Sequence, residues 1–257
     1  MENKRILFIG AGNMATALAV LFKDAGLQPV AIWSRTAESA ATLAGRVGCV
    51  HTCDMSALPD ADIVIISVVD SAFESVARAA VAHFPNALFL HTAGSIAMDA
   101  LRTAGAKKYG VLYPMQTMNK QNIPTFDSVS IFVEGSDEYI TLEIENLASL
   151  LGGKVIRATS EQRSFLHVAA IFACNFPNAL YCMVAELLEQ KDLPFDSMLP
   201  LIDEAARKVH NMSPLAAQTG PAKRGDTSVM EKHKAMLPDE LSTIYDTLSN
   251  YIIKRNK

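Results

Sequence analysis

Cysteine is scarce in this sequence of 257 residues, which has only four, at positions 49, 53, 174 and 182. No two of them have the C-x-x-C spacing, and no histidines accompany them in the pattern of a zinc site. The sequence therefore argues against a disulfide scaffold and against a metal centre. We expect four ordinary buried thiols in a reducing cytoplasm.

A large excess of charge of one sign is also lacking. Lys and Arg number 23 and Asp and Glu 27, so the net charge of -4 provides no general attraction to nucleic acid or anionic lipid. The amino terminus has no apolar segment with a cleavage site, so we expect no export. Residues 165–188 come nearest to a membrane span, but five residues costly in hydrocarbon interrupt them: His167, Asn175, Pro177, Asn178 and Glu186. We therefore expect a cytoplasmic protein with no nucleic-acid and no membrane partner.

Glycine and proline are few, 13 and 11, and half of the residues are hydrophobic, which excludes a disordered or collagen-like chain. Short apolar runs alternate with helical patterns through residues 1–158, as is typical of parallel βαβ units. The sequence therefore predicts a Rossmann-like α/β domain with a mostly parallel sheet. Its strands are expected at 6–9, 29–33, 50–53, 63–68, 88–91, 109–113, 129–133 and 154–157.

Strand patterns stop at about residue 160, and residues 159–257 predict an all-helical domain for substrate binding and dimerisation. Helices are expected at 165–190, 195–210, 228–236 and 239–254, with a loop over 212–225. The first of them should kink or split at Pro177. It is apolar nearly all round, which indicates burial on every side. Because so small a domain has little interior, we predict that a second copy of the chain covers this helix in a homodimer.

The most informative motif is Gly-x-Gly-x-x-Ala at residues 10–15, directly after a predicted strand and before a predicted helix. Gly10 permits a tight turn and Gly12 lets a diphosphate approach the backbone. The anion would then lie on unpaired amides at the start of the helix, at Asn13 and Met14. This context favours dinucleotide binding over a merely structural turn.

The end of the second strand carries Ser34, Arg35 and Thr36 and no acidic residue. NAD enzymes usually place Asp or Glu there for the ribose hydroxyls. Arg35 can pair with a 2′-phosphate, and the two hydroxyls can add hydrogen bonds, so the sequence predicts NADP(H) as the cofactor. The alternative is that Arg35 is only a solvated arginine after a strand.

Loops after the fourth and fifth strands should face the same ligand, because ligands bind beyond the carboxyl ends of parallel strands. Val68 and Val69 would offer apolar surface to the cofactor, and Thr92 and Ala93 would approach the nicotinamide. His91 has two equally weighted interpretations: a proton donor near neutral pH, or a structural histidine bonded to the backbone.

The motif at 10–15, the strand end at 34–36 and the helical second half together resemble the pyrroline-5-carboxylate reductase superfamily. More narrowly, the segments at 91–95, 113–117 and 219–226 resemble a branch whose members are described as NADP oxidoreductases, with a Rossmann-like domain followed by a helical domain of unknown function. The resemblance implies an NADP-binding sheet domain, a dimerising helical domain and an active site in the cleft between them.

One departure bears on the substrate. Pyrroline carboxylate reductases carry a loop rich in Gly, Ser and Thr for the substrate carboxylate, whereas this sequence has Thr-Gly-Pro-Ala-Lys-Arg-Gly-Asp at 219–226. We therefore expect hydride transfer to a small, anionic imine or carbonyl compound rather than proline synthesis. A silent NADP(H)-binding sensor is the alternative, and a deazaflavin hydride partner is a third possibility.

Candidates for the chemistry lie in the helical half. Asn175 is the first, because dehydrogenases related to the resembled family place an asparagine on this helix beside the nicotinamide. His167 shares a helix face with Asn178 if Pro177 does not interrupt the helix. Arg224 either recognises an anionic substrate group or pairs with Asp226. Each of these residues could instead have a purely structural role, in a hydrogen bond or ion pair that only stabilises the fold.

Overall fold

A computed structural model of the protein describes residues 4–256. They form two compact units, the first ending at Cys174 and the second beginning at Asn175. The predicted fold class, a Rossmann-like α/β part followed by a helical part, is confirmed. The functional division after residue 158 stays a prediction.

Within the described residues the first unit contains one eight-stranded sheet, with order β3-β2-β1-β4-β5-β6-β7-β8. Neighbouring strands are parallel except β6 and β7, which are antiparallel. Strand order reverses between β1 and β4, and ligands of such sheets bind beyond the carboxyl ends at this point. The strands are β1 Ile6–Ile9, β2 Pro29–Trp33, β3 Val50–Thr52, β4 Ile63–Ile66, β5 Leu88–His91, β6 Lys108–Pro114, β7 Ser130–Gly135 and β8 Lys154–Arg157.

Helices cover both faces of the sheet. Ile6 and Phe8 of β1 pack in one core with α1, α2 and α5, whereas Leu7 and Ile9 pack in the other with α3 and α4. Because all four residues of β1 are buried, the strand has an uninterrupted apolar sequence instead of an alternating one. The helices of this unit are α1 Asn13–Asp24, α2 Ala37–Val47, α3 Asp70–His83, α4 Asp99–Thr103, α5 Glu138–Ser149 and α6 Ser160–Ala170.

The start of α6 is set by a capping box. The Thr159 hydroxyl accepts from the Gln162 amide, and the Gln162 side chain accepts from the Thr159 amide. The helix therefore begins at Ser160, five residues before the predicted start at Phe165. This earlier turn brings Ser160 and Arg163 into the helix, and both contribute to the site described below.

The helical conformation continues through Pro177. Residues Ile171–Asn175 form a π-helical turn, and α7 starts at Phe176 with Pro177 in its first turn, where a missing backbone N–H is tolerated. The helix type thus changes directly before Pro177, and the kink expected there stays a prediction. The shared face predicted for His167 and Asn178 assumed an uninterrupted α-helix and stays a prediction.

The helical stretch Ser160–Glu189 is long and apolar enough, by length and composition, to cross a membrane, and none of its most apolar 18-residue window is buried within the chain. Phe165 is 78% exposed. The chain alone therefore does not provide the burial that the sequence predicts for this helix.

The second unit is helical throughout its regular elements, as predicted. The expected loop over 212–225 contains two short helices instead. The helices are α7 Phe176–Glu189, α8 Leu199–Asn211, α9 Pro214–Ala217, α10 Pro221–Arg224, α11 Thr227–Lys234 and α12 Asp239–Arg255.

The expectation of four buried thiols is wrong. Cys53, Cys174 and Cys182 are exposed and Cys49 is half-buried, and all four are free. Burial raises the pKa of Cys49 to about 11.

Candidate cofactor pocket and active site

The turn after β1 requires glycine at its first position. Gly10 has a φ of +115°, and a Cβ there would overlap the carbonyl of Ser67 at the end of β4. Its amide donates to the Trp33 carbonyl over 2.8 Å, which joins the ends of β1 and β2. A Cβ built on Gly12 meets no atom within 4 Å among the described residues. The turn is therefore tight on one side and open on the side where a ligand can approach.

The amino terminus of α1 is available to an anion. Gly12 is its N-cap, and no side chain within residues 4–256 caps the helix. The first turn contains Asn13 and Met14 and no acidic residue. Unpaired amides and the positive end of the helix dipole favour a phosphate at this place.

A cavity of about 340 Å³ lies over this turn. Seven of the predicted cofactor residues line it together: Gly10, Gly12, Ser34, Arg35, Thr36, Val68 and Val69. Asn13, Met14, Thr92 and Ala93 do not line it, although the Thr92 hydroxyl donates to the Ser67 hydroxyl over 3.0 Å at the cavity's edge. Lys120, which sequence analysis missed, also lines the cavity, and no carboxylate of residues 4–256 does. A cationic pocket around a glycine turn fits a phosphorylated dinucleotide.

His91 closes β5 and is completely buried. Its Nδ1 accepts from the Ala93 amide over 3.2 Å, and its Nε2 has no hydrogen-bond partner among the described residues. Burial, with a smaller contribution from the Arg163 guanidinium, lowers the pKa of His91 to about 3. The ring is therefore neutral at physiological pH, which favours the structural interpretation over that of a proton donor.

The loop after β5 is fixed to α6 by Arg163, whose side chain is only 1% exposed. Its guanidinium donates to the carbonyls of Ala93 and Ile96 over 3.3 and 2.6 Å and to Glu134 of β7 over 2.5 Å. Glu134 also accepts from the amide and hydroxyl of Ser160. We call these residues, Arg163, Glu134 and Ser160, the buried ion-pair network. The network holds the first turn of α6 against the sheet at Glu134 of β7.

One helical turn after Arg163, α6 carries His167, which lies beside the end of β6. Nδ1 of the half-buried His167 lies 3.1 Å from the Tyr113 hydroxyl. A Cβ built on Gly94 would lie 2.7 Å from the His167 ring, so the imidazole packs directly on the loop after β5. Burial raises the pKa of Tyr113, which keeps the phenol protonated at neutral pH. The structure thus places His167 beside a hydroxyl that sequence analysis did not select.

The remaining predicted residues belong to the second unit. Asn175 is exposed at the end of the π-helical turn. Arg224 is exposed at the end of α10, and Asp226 does not pair with it but caps α11 by accepting from the Val229 amide. The Arg224 side chain therefore has no hydrogen bond or ion pair in the described part of the chain. The substrate roles of Asn175 and Arg224 stay predictions.

Two sequence families match the chain. The family described as NADP oxidoreductase, coenzyme F420-dependent, matches residues 5–93, and a domain of unknown function, DUF2520, matches residues 129–252. No curated protein matches the chain.

Solved structures extend this result. A Bacteroides fragilis protein, provisionally designated an NADP oxidoreductase, is 44% identical over 98% of this chain and 99% of its own, with a TM-score of 0.94. A reductive aminase from Aspergillus terreus in complex with NADPH and ethyl levulinate is 18% identical over 98% of this chain and 94% of its own, with a TM-score of 0.72. Pyrroline carboxylate reductase from Plasmodium falciparum with NADP bound is 14% identical over 100% of both chains, with a TM-score of 0.62.

The likeness to the last two proteins is one of fold. The identity with the Bacteroides protein is high and covers nearly all of both chains, and it confirms the resemblance that the glycine motif and the helical half indicate. The chain therefore belongs to a family of NADP oxidoreductases that join a Rossmann-like domain to a helical domain of the DUF2520 type.

Proposed function

We propose that this NADP oxidoreductase is a reductase that adds hydride and a proton across the C=N or C=O bond of a small, anionic substrate. When bound, NADPH supplies the hydride. The observation that carries the proposal is the Tyr113–His167 pair on the same carboxyl edge of the sheet as the glycine turn. A reduction of this kind needs a proton donor, and the pair offers a donor on this edge of the sheet.

Different residues of the chain bind different parts of the cofactor. Gly10, Gly12 and the start of α1 hold the diphosphate, and Arg35 holds the 2′-phosphate. Val68 and Val69 give apolar contact to the cofactor.

Proton transfer falls to His167. The imidazole gives its Nε2 proton to the substrate nitrogen or oxygen. The neutral ring that remains holds its other proton on Nδ1, toward the Tyr113 oxygen, and regains the lost proton from solvent. Tyr113 fixes the orientation of the ring, and Gly94 leaves room for it.

Cofactor binding is the first test. NADPH and NADH are titrated against the wild type and Arg35→Ala, with the fluorescence of Trp33 as the readout, since this single tryptophan lines the cavity. Wild type should bind NADPH more tightly than NADH, and the variant should lose about 10- to 100-fold in NADPH affinity because a charge-assisted contact contributes about 1.5–3 kcal/mol. Equal binding of both nucleotides by both proteins contradicts the assignment.

Turnover is the second test. A panel of imines, imino acids, aldehydes and keto acids is followed by loss of NADPH absorbance, with each acid compared with its neutral ester. The acids should be reduced faster. A deazaflavin belongs in the panel because coenzyme F420 is part of the matched family's description. Tight NADPH binding without any turnover would instead favour the silent sensor.

The homodimer and the cytoplasmic location are parts of the same proposal. Support for the dimer comes from the exposed apolar side chains of α6, which include Phe165 and Val168. Light scattering should give twice the chain's mass of 27.8 kDa. A monomeric mass at micromolar concentration would contradict the dimer.

A further inference from the structure

We infer that Lys120 is a second cation for the 2′-phosphate of NADPH, delivered to the cofactor pocket by the loop between β6 and β7. The inference rests on the proposed cofactor site and extends it to a residue that lies 85 positions from Arg35 in sequence. It makes the preference for NADPH depend on two cations that approach from different parts of the fold.

The first observation is the charge of the pocket. Arg35 and Lys120 are the charged residues that line it, within the described part of the chain, and neither faces a carboxylate there. The whole protein has a net charge of -4, so this pocket is a local exception. A phosphate monoester carries a charge of about -1.5 to -2 at neutral pH, and two cations balance it.

The second observation is how firmly the loop is held. The Arg46 guanidinium donates to the Lys120 carbonyl over 2.6 Å. The Asn119 side chain accepts from the Gln121 amide over 2.8 Å, forming a local turn, and Met118 packs against the core that α1, α2 and α5 share. The backbone on both sides of Lys120 is thus anchored, and its half-buried side chain lines the cavity.

The third observation favours the 2′-phosphate as the group that Lys120 contacts. Arg46 belongs to α2, the helix that follows the strand end with Ser34, Arg35 and Thr36. Ser39 of the same helix lines the pocket together with Lys120. Lys120 is therefore held by α2, the helix that follows the strand end where the adenosine ribose lies in folds of this class.

The experiment compares NADPH and NADH binding, by Trp33 fluorescence, in wild type, Lys120→Met and Lys120→Arg. We expect Lys120→Met to weaken NADPH binding by about 10- to 100-fold and to leave NADH binding unchanged, because NADH has no 2′-phosphate. Lys120→Arg should restore most of the NADPH affinity. Arg46→Met, which releases the loop without touching the pocket's charge, should give a smaller loss for NADPH alone.

Lys107→Met is the matched control, since this exposed lysine of the same unit does not line the pocket. It should bind both nucleotides as the wild type does. Equal weakening of NADPH and NADH by Lys120→Met would place the lysine on the diphosphate and overturn the inference. Unchanged NADPH binding would also overturn it, while leaving the proposed function intact. Failure of the wild type to bind either nucleotide would overturn both.

Discussion

Replacing His167 with Gln should lower kcat by about 10²- to 10⁴-fold, the usual contribution of a positioned general acid, and should leave NADPH affinity unchanged. The reason is the position of the ring, with Nδ1 held by Tyr113 and Nε2 left for the substrate. Glutamine has a side chain of similar length but cannot transfer a proton to the substrate. Steady-state kinetics and the Trp33 titration measure the two quantities separately.

Two neighbouring substitutions separate orientation from proton donation. Tyr113→Phe removes the hydroxyl that holds Nδ1, and Gly94→Ala places a methyl group 2.7 Å from the ring. Both should reduce kcat less than His167→Gln does. The matched control is Tyr245→Phe, which removes the hydroxyl from the second histidine–tyrosine pair, His233 and Tyr245, whose atoms lie 3.0 Å apart. Turnover of His167→Gln within about threefold of the wild type would exclude His167 as the proton donor.

The features that the sequence predicted well are local. A buried strand such as β1 is recognised from four consecutive apolar residues, because helices on both faces remove the need for polar alternation. The turn at Gly10 and Gly12 is recognised because a positive φ and a close backbone approach leave few choices of residue. The ends of β2 and β4 then follow from the order of a doubly wound sheet. For this reason the residues around the glycine turn could be predicted together, and seven of them line one cavity.

The features that the sequence did not reveal depend on contacts between distant segments. Tyr113 and His167 are 54 residues apart, and Arg163 and Ala93 are 70 apart. Nothing in either segment alone indicates its partner. One signal was available and missed: the Thr159-x-x-Gln162 capping box starts α6 early enough to include Arg163. His91, in contrast, was correctly placed at a strand end, but only its burial and its low pKa distinguish the two interpretations.

The largest effect on stability should come from the buried ion-pair network. Arg163→Met is expected to lower the free energy of unfolding of the first unit by about 3–5 kcal/mol, as is usual when one partner of a buried pair is removed. Three losses combine in this variant. Glu134, with a side chain only 17% exposed, keeps its charge without a cation, and the carbonyls of Ala93 and Ile96 lose their donor.

The chain supplies a matched control for this measurement in Arg157, which also pairs with two glutamates, Glu138 and Glu145, but is 48% exposed. Arg157→Met should cost no more than about 1 kcal/mol, because water replaces the lost partners of an exposed pair. Urea unfolding followed by Trp33 fluorescence reports on the first unit alone, since this tryptophan lies in β2. The double variant Arg163→Met/Glu134→Gln should recover part of the loss by removing the unpaired charge. Equal effects of Arg163→Met and Arg157→Met would show that the network contributes no more than surface ion pairs, and the loop after β5 would then need another explanation for its position under His167.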